Sequence, residues 1–279
     1  MKKITKKSIA EFKQYLIYEE KSQATIDKYI RDVIFFMNWL NGESISKSVV
    51  LKYKQELTEK YAPASVNAAL SSLNSFFIYN EWYDCKVKAL KIQRQIFSNK
   101  DKELTKTEYE RLLTTAKNKK DERLYYLMQT ICSTGIRVSE LKAITVPAVK
   151  SGQTIINCKG KMRIVILPKQ LCKMLKDYIK ENNIKNGSVF VSRNGKPLDR
   201  SYIWKMLKAL CETAGVSKDK VFPHNFRHLF ARTYYRLQKD IVRLADILGH
   251  SSVNTTRIYT IETGEVHRRQ IQKLGLLRC

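Results

Sequence analysis

The chain predicts a mainly α-helical protein of two domains with one small β-sheet, and three observations carry that expectation. Apolar residues recur at three- and four-residue spacing along most of the length. One short stretch, Gln153 to Leu167, switches to β-branched, strand-like composition around a Lys159-Gly160-Lys161 turn. The 279 residues also exceed the usual span of a single domain, and 43% of them are hydrophobic, enough to fill two cores.

Residues 1–86 read as a helical domain. Between about Ser8 and Glu81 the periodicity marks four helices. The first carries Ile9, Phe12 and Leu16, and the second Ile26, Tyr29, Ile30, Val33, Ile34, Met37 and Leu40. Two more run from Val49 to Leu57 and from Val66 to Phe77, with Gly42 and Pro63 as punctuation. Four such helices can enclose a small all-α core. Lys2, Lys3, Lys6, Lys7, Lys13, Lys28 and Arg31 offer either a basic binding face or an ordinary solvated one. Residues 87–103 lose the periodicity and are dense in Lys and Arg, which suits a basic linker able to let two domains close around a rod-shaped polyanion; a plain surface loop is the alternative.

Residues 104–279 form the second domain. Thr105-Lys106-Thr107-Glu108 is a capping-box pattern, placed ahead of Leu112 and Leu113. A second helix with Leu124, Leu127, Met128 and Ile131 is stopped by Gly135, so Arg137 sits just past a helix end. There it meets a ligand or merely pairs with Glu140 three residues on. The hairpin that follows belongs to a sheet of two or three strands, with a lysine at its tip. Helices at Gln170 to Glu181 and Tyr202 to Thr213 flank a short VFVS strand and an Asn194-Gly195 turn.

Charge narrows the partners. The formal balance is +26, from 52 Lys and Arg against 26 Asp and Glu, with a pI near 9.8, and the excess is spread along the chain. A folded and uniformly basic protein points to nucleic acid, with a merely basic housekeeping surface or an anionic membrane surface as the lesser alternatives. No apolar run reaches spanning length, and MKKITKKSIAEF lacks the apolar core of a secretion signal, so a cytoplasmic protein without a membrane partner is expected. The six cysteines lie far apart with no CxxC pair, which suggests neither a zinc ribbon nor a disulfide framework.

The stretch from Pro223 to Tyr259 organises the rest. Phe226, Leu229, Phe230, Tyr234, Leu237, Ile241, Leu244, Ala245 and Leu248 build a core-facing stripe. Pro223 suits a helix start, which puts His224 and Arg227 one turn apart near a positive helix end suited to an anion. Gly249 stops the next helix and leaves His250 in the turn. His224 and His228 stand four apart, but Asn225 occupies the position where a zincin helix needs glutamate, so no metal is expected. Near the end, Val266, Ile271, Leu274 and Leu277 mark a short amphipathic helix with little chain left to cover it.

Five segments in order, STGIRVSEL, CKGKMR, PHNFRHLFA, LGHSS and TTRIYT, resemble the tyrosine recombinase (phage integrase, Xer-like) family. The resemblance spans most of residues 132–260, and the helical first part matches that family's core-binding, SAM-like domain in layout. It implies a catalytic domain of helices with a three-stranded sheet, and a site-specific recombinase that cleaves and rejoins DNA through a 3′-phosphotyrosyl link without cofactor or metal. Tyr259 would be the nucleophile. Arg137 and Arg227 would fork onto the nonbridging oxygens, where a lysine point charge would serve less well. His250 would donate to the same phosphate, and His224 would accept the Tyr259 proton or orient the phosphate. Lys159 would protonate the leaving 5′ oxygen, with Lys161 as rival in a hairpin about one residue shorter than usual. Glu140 and His228 would support the site from behind. Partners would be double-stranded DNA and three further copies, a homotetramer on two sites that exchanges its C-terminal helix, associated with the nucleoid. With no arm-type DNA-binding domain before residue 1, a simple Xer- or invertase-like system is expected. A catalytically silent DNA-binding protein of the same fold and a supercoil-relaxing enzyme are the rival readings.

Overall fold

The computed structural model describes residues 2–92, 100–158, 161–259 and 272–273. The chain divides into two compact units, Met1–Arg94 and Gln95–Cys279.

The first unit holds four helices: α1 (Lys6–Tyr18), α2 (Gln23–Leu40), α3 (Lys47–Lys60) and α4 (Pro63–Tyr79). α1 starts where Thr5 and Ser8 cap each other, and α4 starts on Pro63, at a position where no backbone N–H is needed. Their apolar stripes meet in one core, where Phe12, Phe36, Phe76 and Phe77 are fully buried and the Phe12 and Phe76 rings meet edge to face at 5.2 Å. Beyond α4 the chain stays on this unit. The Asn74 amide bonds the Val87 N–H and carbonyl at 3.0 and 2.8 Å, and Asn67 grips Leu90 the same way at 2.7 and 2.9 Å. Two asparagine side chains thus satisfy a segment that has no strand to pair with.

The second unit opens on the expected capping box, with Thr105 and Glu108 bonded reciprocally at the head of α5 (Lys106–Asn118). α6 (Glu122–Thr134), a 3-10 turn at Val138–Ala143 and α7 (Val146–Ser151) lead into the antiparallel pair β1 (Gln153–Cys158) and β2 (Lys161–Ile166). Then come α8 (Lys169–Glu181), α9 (Arg200–Ala214), α10 (Pro223–Gln238), α11 (Ile241–Leu248), α12 (Val253–Thr256) and a 3-10 turn at Arg257–Tyr259. The core lies between these helices, around Leu112, Leu127, Leu175, Leu207 and Phe226.

The sheet corrects the expectation of three strands: among the described residues it has two. The VFVS stretch and the Ser188 that precedes it make only single bridges, Ser188 with Thr145 and Val191 with Pro197. The Val189 N–H goes to the Ile144 carbonyl at 2.8 Å, and Val189 and Phe190 are buried in the helical core. Their apolar bulk plugs the core rather than extending a ladder. Beside β1 lies the 3-10 turn, whose Ala143 carbonyl accepts from the Thr154 hydroxyl at 2.9 Å. Among the described residues no helix is long and apolar enough to cross a membrane.

Candidate active site

The site is assembled on the carboxyl end of α11, a helix of eight residues. A helix leaves its last carbonyls without partners inside the helix, and they carry the negative end of its dipole. Here three successive carbonyls each receive an arginine from a different part of the chain. Arg163 of β2 donates to Ile247, Arg227 of α10 donates to Leu248 at 2.7 Å, and Arg137 donates to Gly249 at 3.3 Å. Gly249 ends α11 at φ +64°, and a Cβ built there would overlap the Arg163 side chain, so both backbone and packing require glycine.

Arg137 follows Gly135, which ends α6 at φ +64° with the Phe230 ring of α10 packed where a Cβ would stand. This close approach lets Arg227 Nη1 donate to the Gly135 carbonyl, so one arginine holds the turn that presents the other. Arg227 is 1% exposed, its Nε buried without a partner. Glu140, only 6% exposed, accepts from the Arg137 N–H at 2.9 Å, from Arg137 Nη1 at 2.8 Å and from Arg163 Nη2. Burial alone would raise its carboxyl pKa; the Arg137 and Arg163 donors hold it below the ordinary value. The Arg137–Glu140 pair expected from spacing therefore exists, but as a buried clamp rather than a surface pair.

His250 Nδ1 lies 2.8 Å from the Thr256 hydroxyl, and its Nε2 lies 3.1 Å from Arg227 Nη2. A guanidinium can only donate, so Nε2 accepts and the ring proton sits on Nδ1, bonded to Thr256. Burial first, then Arg227, Arg137 and Arg163, push its pKa down to about 4. In this arrangement His250 is a neutral acceptor from Arg227. The Tyr259 ring, 4% exposed, stacks 6.0 Å from the His250 ring at 17° and meets His228 edge to face at 4.9 Å. His228 Nε2 is buried without a partner, and burial followed by the charges of His224, Arg232 and Arg227 pushes its pKa to about 3. Arg227 is lowered to about 10 by burial and then by Arg137, with the Tyr259 hydroxyl pulling the other way, so it stays a cation at neutral pH.

The structure thus gathers Arg137, Glu140, Arg227, His250 and Tyr259 through direct contacts. It packs His228 behind the tyrosine and leaves His224 exposed at the start of α10, its ring 4.5 Å from that of His228. Partial burial, with Arg227, Arg137 and Arg200, lowers the His224 pKa as well. Lys159 lies outside the described residues, as does the C-terminal stretch with Val266, Ile271, Leu274 and Leu277. Among the described residues no three His, Cys, Asp or Glu side chains form a set that could hold a metal ion. Sequence reasoning missed Arg163 and Thr256. The available signal for Arg163 was a charged residue on the β2 face shared with buried Val165.

An all-helical unit ahead of a helical unit with one hairpin, its arginines converging beside a buried tyrosine, defines a class, the tyrosine-dependent DNA strand transferases. Residues 102–265 match the phage integrase family and residues 9–82 match the phage integrase N-terminal SAM-like domain. The chain belongs to this family of tyrosine recombinases, site-specific enzymes that cleave and rejoin DNA strands through a phosphotyrosyl intermediate. It is 30% identical over 280 residues to tyrosine recombinase XerA of Thermococcus kodakarensis, covering 96% of this chain and 95% of that one. It is also 30% identical to tyrosine recombinase XerD of Lacticaseibacillus casei, covering 90% and 92%. The crystal structure of XerA recombinase superposes with a TM-score of 0.54 at 27% identity over 98% of this chain and 99% of that one. A lambda integrase dimer bound to a COC′ core site shares the fold, with a TM-score of 0.76 at 17% identity over 93% and 96%.

Proposed function

We propose that Tyr259 is the nucleophile of this recombinase and that Arg137 and Arg227 are its phosphate clamp. The observation that carries the reading is the convergence of three arginines on three successive carbonyls, with one buried carboxylate among them and the tyrosine beside Arg227. Among the described residues the surplus of positive charge has no protein counter-ion, and an anion between the arginines supplies one. A scissile phosphodiester meets that need, and the charge it develops during attack meets it better.

In this scheme the phenolic oxygen bonds to phosphorus as the P–O5′ bond breaks. The phenolic proton leaves toward His224, whose lowered pKa keeps it able to accept. Lys159 protonates the departing oxygen. Phosphate charge against Arg137 and Arg227 offsets the repulsion that holds His250 neutral, so its Nε2 takes up a proton from solvent and turns from acceptor to donor. The tyrosyl ester stores the energy of the broken bond for rejoining, and no metal takes part.

The acting assembly is a homotetramer on two DNA sites, in which the segment bearing Val266, Ile271, Leu274 and Leu277 passes to a neighbour; the nucleoid is its place of work. Among similar folds, a lambda integrase tetramer is bound to a Holliday junction. The test starts with fragmented genomic DNA of the source organism, trapped with SDS and sequenced at the points of protein attachment. A nicked duplex carrying the mapped site should then accumulate a covalent adduct, at the same rate in EDTA. Two such sites on one molecule should yield recombinant products. No adduct on DNA that the protein binds would leave only a DNA-binding role, and relaxation without recombinants would reassign it as a topoisomerase.

A further inference from the structure

We infer that Arg163 is a positioning residue, the third arginine of the gathering, which locks the β1–β2 hairpin to the two groups that set the phosphate site. The inference rests on the proposed roles of Arg137 and His250. Three separate observations support it. One arm of its guanidinium donates to Glu140, the carboxylate that also holds the Arg137 side chain and backbone. The other arm donates to the Ile247 carbonyl, three residues before His250 on the same helix end. Its aliphatic stem occupies the space that the absent Gly249 side chain leaves open.

A residue that merely filled space on this face would be apolar, like its strand neighbour Val165. Arg163 instead brings a charge to a site already crowded with cations, where its side chain is 11% exposed and its Nε is buried without a partner. Its presence adds to the repulsion that lowers the pKa of His250. What it supplies in return is geometry. A planar fork reaches two acceptors at once and fixes the angle between them, whereas a lysine ammonium is a single point on a flexible stem. Through that fork β2 is held to the end of α11 and to the 3-10 turn of Arg137. Arg163 touches neither the reacting phosphate nor the tyrosine in this scheme and acts through Glu140 and the α11 end.

The test uses the full-length chain and the nicked duplex on which wild type forms its adduct. Arg163→Ala and Arg163→Lys should bind that duplex within about twofold of wild type, because most of the affinity comes from backbone contacts elsewhere. Their single-turnover rate of adduct formation should fall by about tenfold to a hundredfold, as displacement of reacting groups by an ångström does. Thermal melting of Arg163→Lys shows whether the variant is folded at the assay temperature. In a Glu140→Gln background, Arg163→Ala should cost much less than in wild type, because the shared anchor is already gone. Adduct formation at the wild-type rate in either single variant would overturn the inference, and so would full rescue by lysine or strictly additive losses in the double variant. Failure of wild type itself to form an adduct would instead remove the functional reading on which the inference stands.

Discussion

The two units pair charge in opposite ways. In the first, Lys28 meets Asp32 at 2.6 Å, the Ala68 carbonyl at 2.8 Å and the Ser72 hydroxyl at 3.1 Å, and Ser72 donates to the same Asp32 oxygen. Asp32 faces Lys28 closely and Arg31 at 3.9 Å, and the Lys28 ammonium finds its partners within the protein. In the second, Arg137 and Arg163 share the carboxylate Glu140, and with Arg227 they reach four carbonyls, those of Gly135, Ile247, Leu248 and Gly249, beside histidines held neutral. Every buried polar side-chain atom without a partner among the described residues belongs to this unit, including Nε of Arg163 and Arg227 and Nε2 of His228. A closed network specifies a core, whereas an open one leaves buried donors unmatched within the protein.

The comparison breaks hardest at Tyr259. Tyr259→Phe should bind DNA normally and give no covalent adduct above background on the nicked duplex; a persisting adduct would move the nucleophile, Tyr234 and Tyr235 being the neighbours to check. Arg227→Lys comes next. It trades a fork with three bonds for one point charge, and the single-turnover rate should fall by about 10²–10³-fold, equivalent to roughly 3 to 4 kcal/mol.

Acid should separate the units without any mutation. All four histidines lie in the second unit. His250 and His228 have folded pKa values of about 4 and about 3 against an ordinary 6.5. Between those values the unfolded chain binds protons that the folded chain refuses, so their contribution is fully present above pH 6.5 and is lost as pH falls toward about 4 for His250 and about 3 for His228. Hydrogen exchange at descending pH should show protection fading around α10 and α11 before it fades in α1 to α4. Simultaneous loss would contradict the contrast.

Smaller effects sharpen it. Gly135→Ala places a Cβ against the Phe230 ring at a positive φ, and should destabilise the second unit by roughly 1–3 kcal/mol in urea unfolding. Ser72→Ala removes one arm of the closed network. It should cost about 1 kcal/mol and leave the adduct rate unchanged, because that network serves only its own core.

Much of this was legible in residue names. Pro223, Gly135 and Gly249 mark the helix ends where the structure has them, because proline and glycine act through their own backbone chemistry whatever surrounds them. Apolar spacing likewise marks the four helices of the first unit, since burial selects a face. The third strand failed because Val189 and Phe190 are equally suited to a strand or a core plug, and only the Ile144 carbonyl decides between them.

The arginine gathering lies at the other extreme. Arg137, Arg227, His250 and Tyr259 carry side-chain chemistry that announces itself, so the sequence alone marked them as candidates and determined the family. What holds two of those arginines, and brings Arg163 among them, is a run of backbone carbonyls at Ile247, Leu248 and Gly249. A carbonyl is the same group under every residue name, and whether it is free depends on where a helix stops and what packs against its end. That choice belongs to the tertiary structure alone.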